Sequence, residues 1–116
     1  VPLTEATGAG RGFAVTGGVG QAVVGPIGRI EPEREVKVAS AEGLDNCRKM
    51  LQLAKAGKYN GYLLEGMACP GGCVAGAGTI QPIAKTSPAI NRYKQSADSQ
   101  NAMDSKYEMA LPDLDE

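Results

Sequence analysis

The sequence predicts a small α/β domain with a largely parallel sheet and flanking helices. Three consecutive stretches predict it: an alternating run over Glu35–Ala39, a helical pattern from about Gly43 to Ala56, and an apolar run over Tyr59–Leu64. Alternation with period two marks a strand, and apolar residues recurring at i, i+3, i+4 and i+7 mark a helix. Strand, helix and strand in that order form a βαβ unit, with parallel strands and a right-handed crossover. A chain of 116 residues suits one modest domain spanning 1–116.

The elements follow in order. Residues 1–16 carry Gly8, Gly10 and Gly12, then a short apolar step, Phe13-Ala14-Val15. Thr16-Gly17-Gly18-Val19 predicts an N-cap and a helix start, with Val19, Ala22 and Val23 on its buried side. Pro26 is expected to end this helix in a turn over Gly25-Pro26-Ile27-Gly28, and Glu31 to Glu35 form a charged connection. In the central helix Leu44, Cys47, Met50, Leu51 and Ala54 share a face, and Gly57 is its stop signal. Ser87-Pro88 predicts the next helix opening, with Ile90, Tyr93 and Ala97 as a narrow apolar stripe. Met103, Tyr107, Ala110 and Leu111 predict a last short helix stopped by Pro112, and Asp113–Glu116 a solvated acidic end.

Composition removes several classes of function. With no histidine, imidazole acid–base catalysis, Ser-His-Asp triads and His-ligated zinc are excluded. A net charge of −1 leaves no electrostatic footprint for nucleic acid. No apolar run reaches the roughly 18 residues of a membrane span. Three cysteines are an odd number and too few for a disulfide framework, which points to a reducing, cytoplasmic compartment. A chain that begins at Val1 without Met reads as a piece of a longer protein. Such a piece is expected to expose an apolar face and to self-associate.

Sixteen glycines, roughly twice average usage, suggest loops held close to something. One cluster surrounds Glu65-Gly66-Met67-Ala68-Cys69-Pro70-Gly71-Gly72-Cys73, directly after the apolar Gly61-Tyr62-Leu63-Leu64. A strand that breaks into a glycine-rich turn bearing Cys-x-x-x-Cys can hold a soft metal, since thiolates bind iron and iron–sulfur clusters well. The turn lies at the carboxyl end of a strand, where open α/β sheets usually place ligands. Amide groups of Gly71, Gly72 and the helix starting at Thr16 are expected to stabilise a negatively charged cluster there. Cys47 reads as a core cysteine, and Glu65 as a strand-end or surface carboxylate.

These nine residues resemble the last cysteine motif of the iron-only (FeFe) hydrogenases, Glu-x-Met-x-Cys-Pro-Gly-Gly-Cys, and match every fixed position of it. The likeness extends along the chain in the family's order. Thr7-Gly8-Ala9-Gly10 and then Phe13-Ala14-Val15-Thr16-Gly17-Gly18-Val19 look like the family's Ser-Gly-Ala-Gly and Phe-Gly-Val-Thr-Gly-Gly-Val. Gly43-Leu44-Asp45-Asn46 with Arg48-Lys49 resembles the helix before its final strand, and Asn101 to Pro112 faintly resembles its carboxyl end.

The resemblance implies a part of a larger hydrogenase catalytic domain whose parent reversibly reduces protons to dihydrogen. In that family a four-iron four-sulfur (4Fe-4S) cubane held by four cysteines is bridged to a two-iron site carrying carbon monoxide and cyanide. By position Cys69 is implied as a cubane ligand and Cys73 as the bridging one. Met67 is implied beside the two-iron site, with Phe13 and Thr16 lining the pocket. A redox partner such as ferredoxin is implied for the parent. Two family motifs, Thr-Ser-Cys-Cys-Pro and Pro-Cys-x-x-Lys, are absent, so two thiolates remain where a cubane needs four, and this chain alone is expected to be apo and inactive. Further departures are a two-residue insertion before Gln81-Pro82, Ala14 for a family Gly, and Gly20-Gln21 for Met-Glu. They place the chain in a divergent branch and leave two alternatives: a hydrogenase-like sensor of dihydrogen or potential, and a related iron–sulfur assembly protein.

Overall fold

The computed structural model describes residues 5–107. The elements are α1 (Gly8–Arg11), a 3-10 turn at Gly12–Ala14, α2 (Gly18–Ile30), β1 (Lys37–Glu42), α3 (Leu44–Lys55), β2 (Tyr62–Met67), a 3-10 turn at Cys73–Ala75, α4 (Ile83–Gln95) and a 3-10 turn at Ala102–Asp104. β1 and β2 pair in parallel, from Lys37 opposite Tyr62 to Glu42 opposite Met67. α3 connects them, so the predicted α/β class and βαβ unit are both present.

The central helix forms where its sequence asks for it. Gly43 holds φ +85 and leads straight from strand to helix, while the Asn46 side-chain amide donates to the Glu42 carbonyl at 3.0 Å. At the other end Gly57 has φ +87, its N–H donates to Ala54 O, and the Lys58 N–H donates to Leu53 O. This is a Schellman closure, which satisfies the last helical carbonyls and needs a residue free of Cβ penalty. On the inner face Met50 is buried and Cys47 is half-buried, but Leu44 and Leu51 point outward and are 74% and 60% exposed.

Other boundaries differ from expectation. Both strands lie later in the chain than their patterns suggest, β1 by two residues at its start and β2 by three. Thr16 is not an N-cap: Gly17, with φ +88, takes that place in α2 without a side-chain bond. Pro26 sits inside α2, whose C-terminal half is pinned from outside. Arg29 donates to both carboxylate oxygens of Asp104, at 2.6 and 3.1 Å, and this clasp offsets the hydrogen bond that Pro26 removes. Likewise Pro88 lies within α4, which opens five residues earlier than Ser87-Pro88 predicts, after Pro82. Ala97 of the predicted stripe is buried just beyond the end of α4, and the Tyr93 ring is covered by the Arg11 guanidinium at 4.1 Å. The predicted last helix is a 3-10 turn over Ala102–Asp104; Ala110, Leu111, Pro112 and the acidic end lie outside the described residues.

The N-terminal segment closes onto the C-terminal one. Gly8 N–H and Ala9 N–H donate to Ser99 O and Gln100 O, and Arg11 Nη1 donates to Tyr93 O and Ser96 Oγ. The core is thin. Among the described residues the buried apolar side chains are Met50, Val74 and Ala97, while Ile80 is 92% exposed. A parallel sheet is ordinarily covered on both faces, so two strands with so few buried neighbours fit a small part of a larger domain.

Among the described residues Glu65 is the buried charged one. From β2 its Oε1 accepts the Gly20 N–H at 3.2 Å and its Oε2 accepts the Ser40 hydroxyl at 3.1 Å. A carboxylate is thereby placed at the first turn of α2, where orphan amides and the helix dipole favour negative charge. The surface reading of Glu65 is corrected: it caps α2 from another element. Glu65→Ala strands the buried Gly20 amide and removes the acceptor of the Ser40 hydroxyl. Urea denaturation should show a loss of about 1–3 kcal/mol, with Glu65→Gln recovering much of it.

Candidate metal centre

The cysteine turn follows β2 directly and is built by its glycines. Gly71 and Gly72 both have φ +91, and the Gly72 N–H donates to Cys69 O at 2.9 Å. Cys73 then opens the 3-10 turn that buries Val74. The Cys69 thiol is half-buried, and its Sγ lies 3.3 Å from where a Cβ on Gly76 would sit. Cys73 is exposed, and all three cysteines of the chain are free.

This turn is seated against the segment that carries Phe13. A Cβ on Gly72 would lie 2.7 Å from both Ala14 O and Thr16 N, so the two backbones meet with no room for a side chain. A second glycine fit anchors the segment itself, because a Cβ on Gly18 would lie 1.8 Å from Gly12 O. Phe13 is 47% exposed on its turn, and the structure brings that turn to the cysteines. Met67, half-buried at the end of β2, instead borders a cavity of about 250 Å³ between α2 and β2, lined also by Val19, Val23, Leu63, Leu64 and Glu65. Phe13, Cys69 and Cys73 are not among that cavity's lining residues.

A residue that sequence patterns do not single out links these parts. Glu42, the last residue of β1, accepts with one oxygen, Oε2, from Thr16 Oγ1 at 2.7 Å and from Gly71 N at 2.8 Å. The Thr16 hydroxyl, and after it the Gly71 amide, holds the Glu42 carboxyl below the usual carboxylate range. A lone Glu at a strand end ordinarily reads as surface charge. Only the parallel register, with Glu42 opposite Met67, reveals that it stands beside the turn.

The amides expected to face a cluster are committed elsewhere. Gly71 N donates to Glu42, Gly72 N to Cys69 O, Gly18 N to Val15 O and Gly20 N to Glu65. Thr16 faces Glu42 rather than the helix that follows it. Cys47 sits behind the sheet's carboxyl end, its thiol within donating distance of Met67 O at 3.5 Å and Ala41 O at 3.6 Å. That is a structural role, as its place on the helix face predicts.

The donor set can therefore be stated. Among the described residues no group of three or more Cys, Asp or Glu side chains is arranged to hold a metal ion, and the chain has no His. Cys69 and Cys73 share one short turn and supply soft thiolates, which suits iron–sulfur chemistry but provides half of a four-thiolate set. No helix among the described residues is long and apolar enough to cross a membrane.

Comparison with known proteins agrees with this chemistry. The family model described as iron only hydrogenase large subunit, C-terminal domain, matches residues 1–77. The chain is 45% identical over 49 residues to the periplasmic [Fe] hydrogenase large subunit of Nitratidesulfovibrio vulgaris, covering 42% of this chain and 11% of that protein. It is also 37% identical over 59 residues to a probable cytosolic Fe-S cluster assembly factor of Aedes aegypti, covering 51% and 12%. A cytosolic Fe-S cluster assembly factor of Danio rerio is 38% identical over 52 residues, covering 45% and 13%. The chain thus spans roughly an eighth of the length of these relatives.

Proposed function

This chain belongs to the family defined by the C-terminal domain of the iron-only hydrogenase large subunit, and from that premise we propose that it is part of a longer iron hydrogenase. The parent reversibly reduces protons to dihydrogen at a cubane linked to a two-iron site with carbon monoxide and cyanide ligands. The observation that carries this reading is the pair of thiols on one glycine-rich turn, seated by Gly72 against the Phe13 segment.

Each residue then has a task set by its place. Cys69, half-buried over Gly76, would hold the cubane together with the more exposed Cys73, which would also serve the two-iron site. When bound, the cluster supplies the electrons for the reaction. Phe13 would line the site from the turn seated against the cysteines, and Met67 would reach it from the end of β2, where it also borders the cavity between α2 and β2. The remaining two thiolates come from parts of the parent outside these 116 residues, and the chain by itself is inactive. Its electron partner is a small redox protein such as a ferredoxin, and an isolated chain self-associates through its exposed apolar side chains. We place the parent in the cytoplasm on its cysteine usage; one relative is named periplasmic and others cytosolic.

A second reading has specific support, because relatives from Aedes aegypti and Danio rerio are named as Fe-S cluster assembly factors. The two readings separate on the purified, matured parent. A hydrogenase should show infrared bands of metal-bound carbon monoxide and cyanide and should evolve dihydrogen from a reduced dye. A cubane with neither bands nor evolution would overturn the hydrogenase and favour assembly. The 116-residue chain alone should fail to retain stoichiometric iron and sulfide, and a full cubane on it would contradict the half-set argument.

A further inference from the structure

We infer that Glu42 is a positioning residue that fixes the cysteine turn against the Phe13–Thr16 segment. The inference rests on the reading in which Cys69 and Cys73 are cluster ligands. Its geometry does not depend on a cluster. One carboxylate oxygen receives the Thr16 hydroxyl and the Gly71 amide at 2.7 and 2.8 Å, and these donors belong to the two segments that Gly72 brings into backbone contact.

Three features make Glu42 suited to this task. It stands at the end of β1, where the ladder to Met67 and the following Gly43 N–H to Met67 O bond at 2.8 Å hold its backbone still. Its own carbonyl accepts from Asn46, so the strand-to-helix corner beneath it is braced as well. Both groups facing Oε2 are donors, which matches an ionised carboxylate, an acceptor without protons of its own. Charge-assisted bonds of this kind are shorter and stronger than neutral ones.

The arrangement also has a chemical consequence. Gly71 is midway in sequence between Cys69 and Cys73, and its N–H is engaged by Glu42 and so is not offered to a cluster sulfur. Fewer amide donors to cluster sulfur, and a negative charge close to the turn, both disfavour adding an electron to the cluster. Glu42 therefore sets where the two sulfurs stand and pulls the cluster potential downward. Glu65 does something different, since it caps α2 and touches neither segment of this contact.

The test uses the matured parent, with hydrogen–deuterium exchange of the peptide covering Ala68–Ala75 and redox titration of the cubane signal. Glu42→Ala should speed exchange at the turn by about tenfold, as expected for loss of two charge-assisted bonds, with α3 peptides unchanged. Glu42→Gln keeps an acceptor and should restore the exchange rate, yet it should shift the midpoint potential upward because the charge is gone. A role in folding alone would leave that potential where it was. Should Glu42→Ala fail to fold, Thr16→Val removes one of the two donors and should still speed exchange locally. Unchanged exchange in every variant, or an unmoved potential in Glu42→Gln, would overturn the inference while the wild-type cubane stands. A wild-type parent without any cubane would instead overturn the functional reading on which it rests, and the exchange data alone would then decide the Glu42 tie.

Discussion

Replacing Gly72 with alanine should unseat the cysteine turn and cost the domain roughly 2–5 kcal/mol. Two independent effects add. With φ +91 and ψ −170, Gly72 occupies backbone space that is essentially glycine's alone, and a residue with a Cβ is strained there by about 1–3 kcal/mol. The new carbon would also lie 2.7 Å from Ala14 O and Thr16 N, and both are backbone atoms that cannot rotate away. Gly78 is the control for positive φ without crowding, because it has φ +88 and nothing within 4 Å of its would-be Cβ. Urea denaturation of Gly72→Ala and Gly78→Ala therefore separates backbone strain from the close approach. Equal losses would show that the turn does not bear on the Phe13 segment, and the site as described would fall apart into two unrelated loops.

Much of the fold could be read from local patterns, and the places where it could not share a cause. The βαβ unit was legible because its signals are short-range: alternation in the first strand, helical spacing across Cys47, Met50 and Ala54, and a stop at Gly57 whose Schellman bonds involve only neighbours. Both internal prolines misled, because proline is a local boundary signal, a stop at Pro26 and an opening at Pro88, while the helices that contain them are held by distant partners. Arg29 reaches across to Asp104, 75 positions away. Leu44 and Leu51 misled in the other direction. Their spacing marks an apolar face, but a two-stranded sheet has no second layer to cover all of it.

The site divides in the same way. The two thiols and the glycines between them were legible as chemistry, since residue type and spacing carry it. What those glycines do was not. Their amides were expected to face a cluster, and instead Gly71 serves Glu42 and Gly72 serves the Cys69 carbonyl. Their missing side chains matter more than their amides, for Gly72 admits a neighbouring backbone. The tasks of Glu42 and Glu65 were not legible because a single carboxylate has no pattern; each acquires meaning from its partner, 29 and 45 positions away in the chain.

The same distinction between ligand and scaffold predicts how the three cysteines should respond to substitution in the matured parent. Serine in place of Cys69 or Cys73 exchanges a soft thiolate for a hard, weakly acidic hydroxyl, so bound iron should fall by at least about tenfold, the lower range seen when even outer partners of a metal site are removed. Cys69→Ser should abolish the cubane signal. On the proposed hydrogenase reading, in which Cys73 serves both metal groups, Cys73→Ser should in addition abolish the infrared bands of carbon monoxide and cyanide. Cys47→Ser should leave iron intact, because a serine hydroxyl can still donate toward Ala41 O and Met67 O, where the thiol now points. Metal analysis and infrared spectra of the three variants read this directly. Iron lost in Cys47→Ser but kept in Cys69→Ser would move the ligand role from the turn to the helix, and it would remove the reason for Gly72 and Glu42 to hold that turn in place.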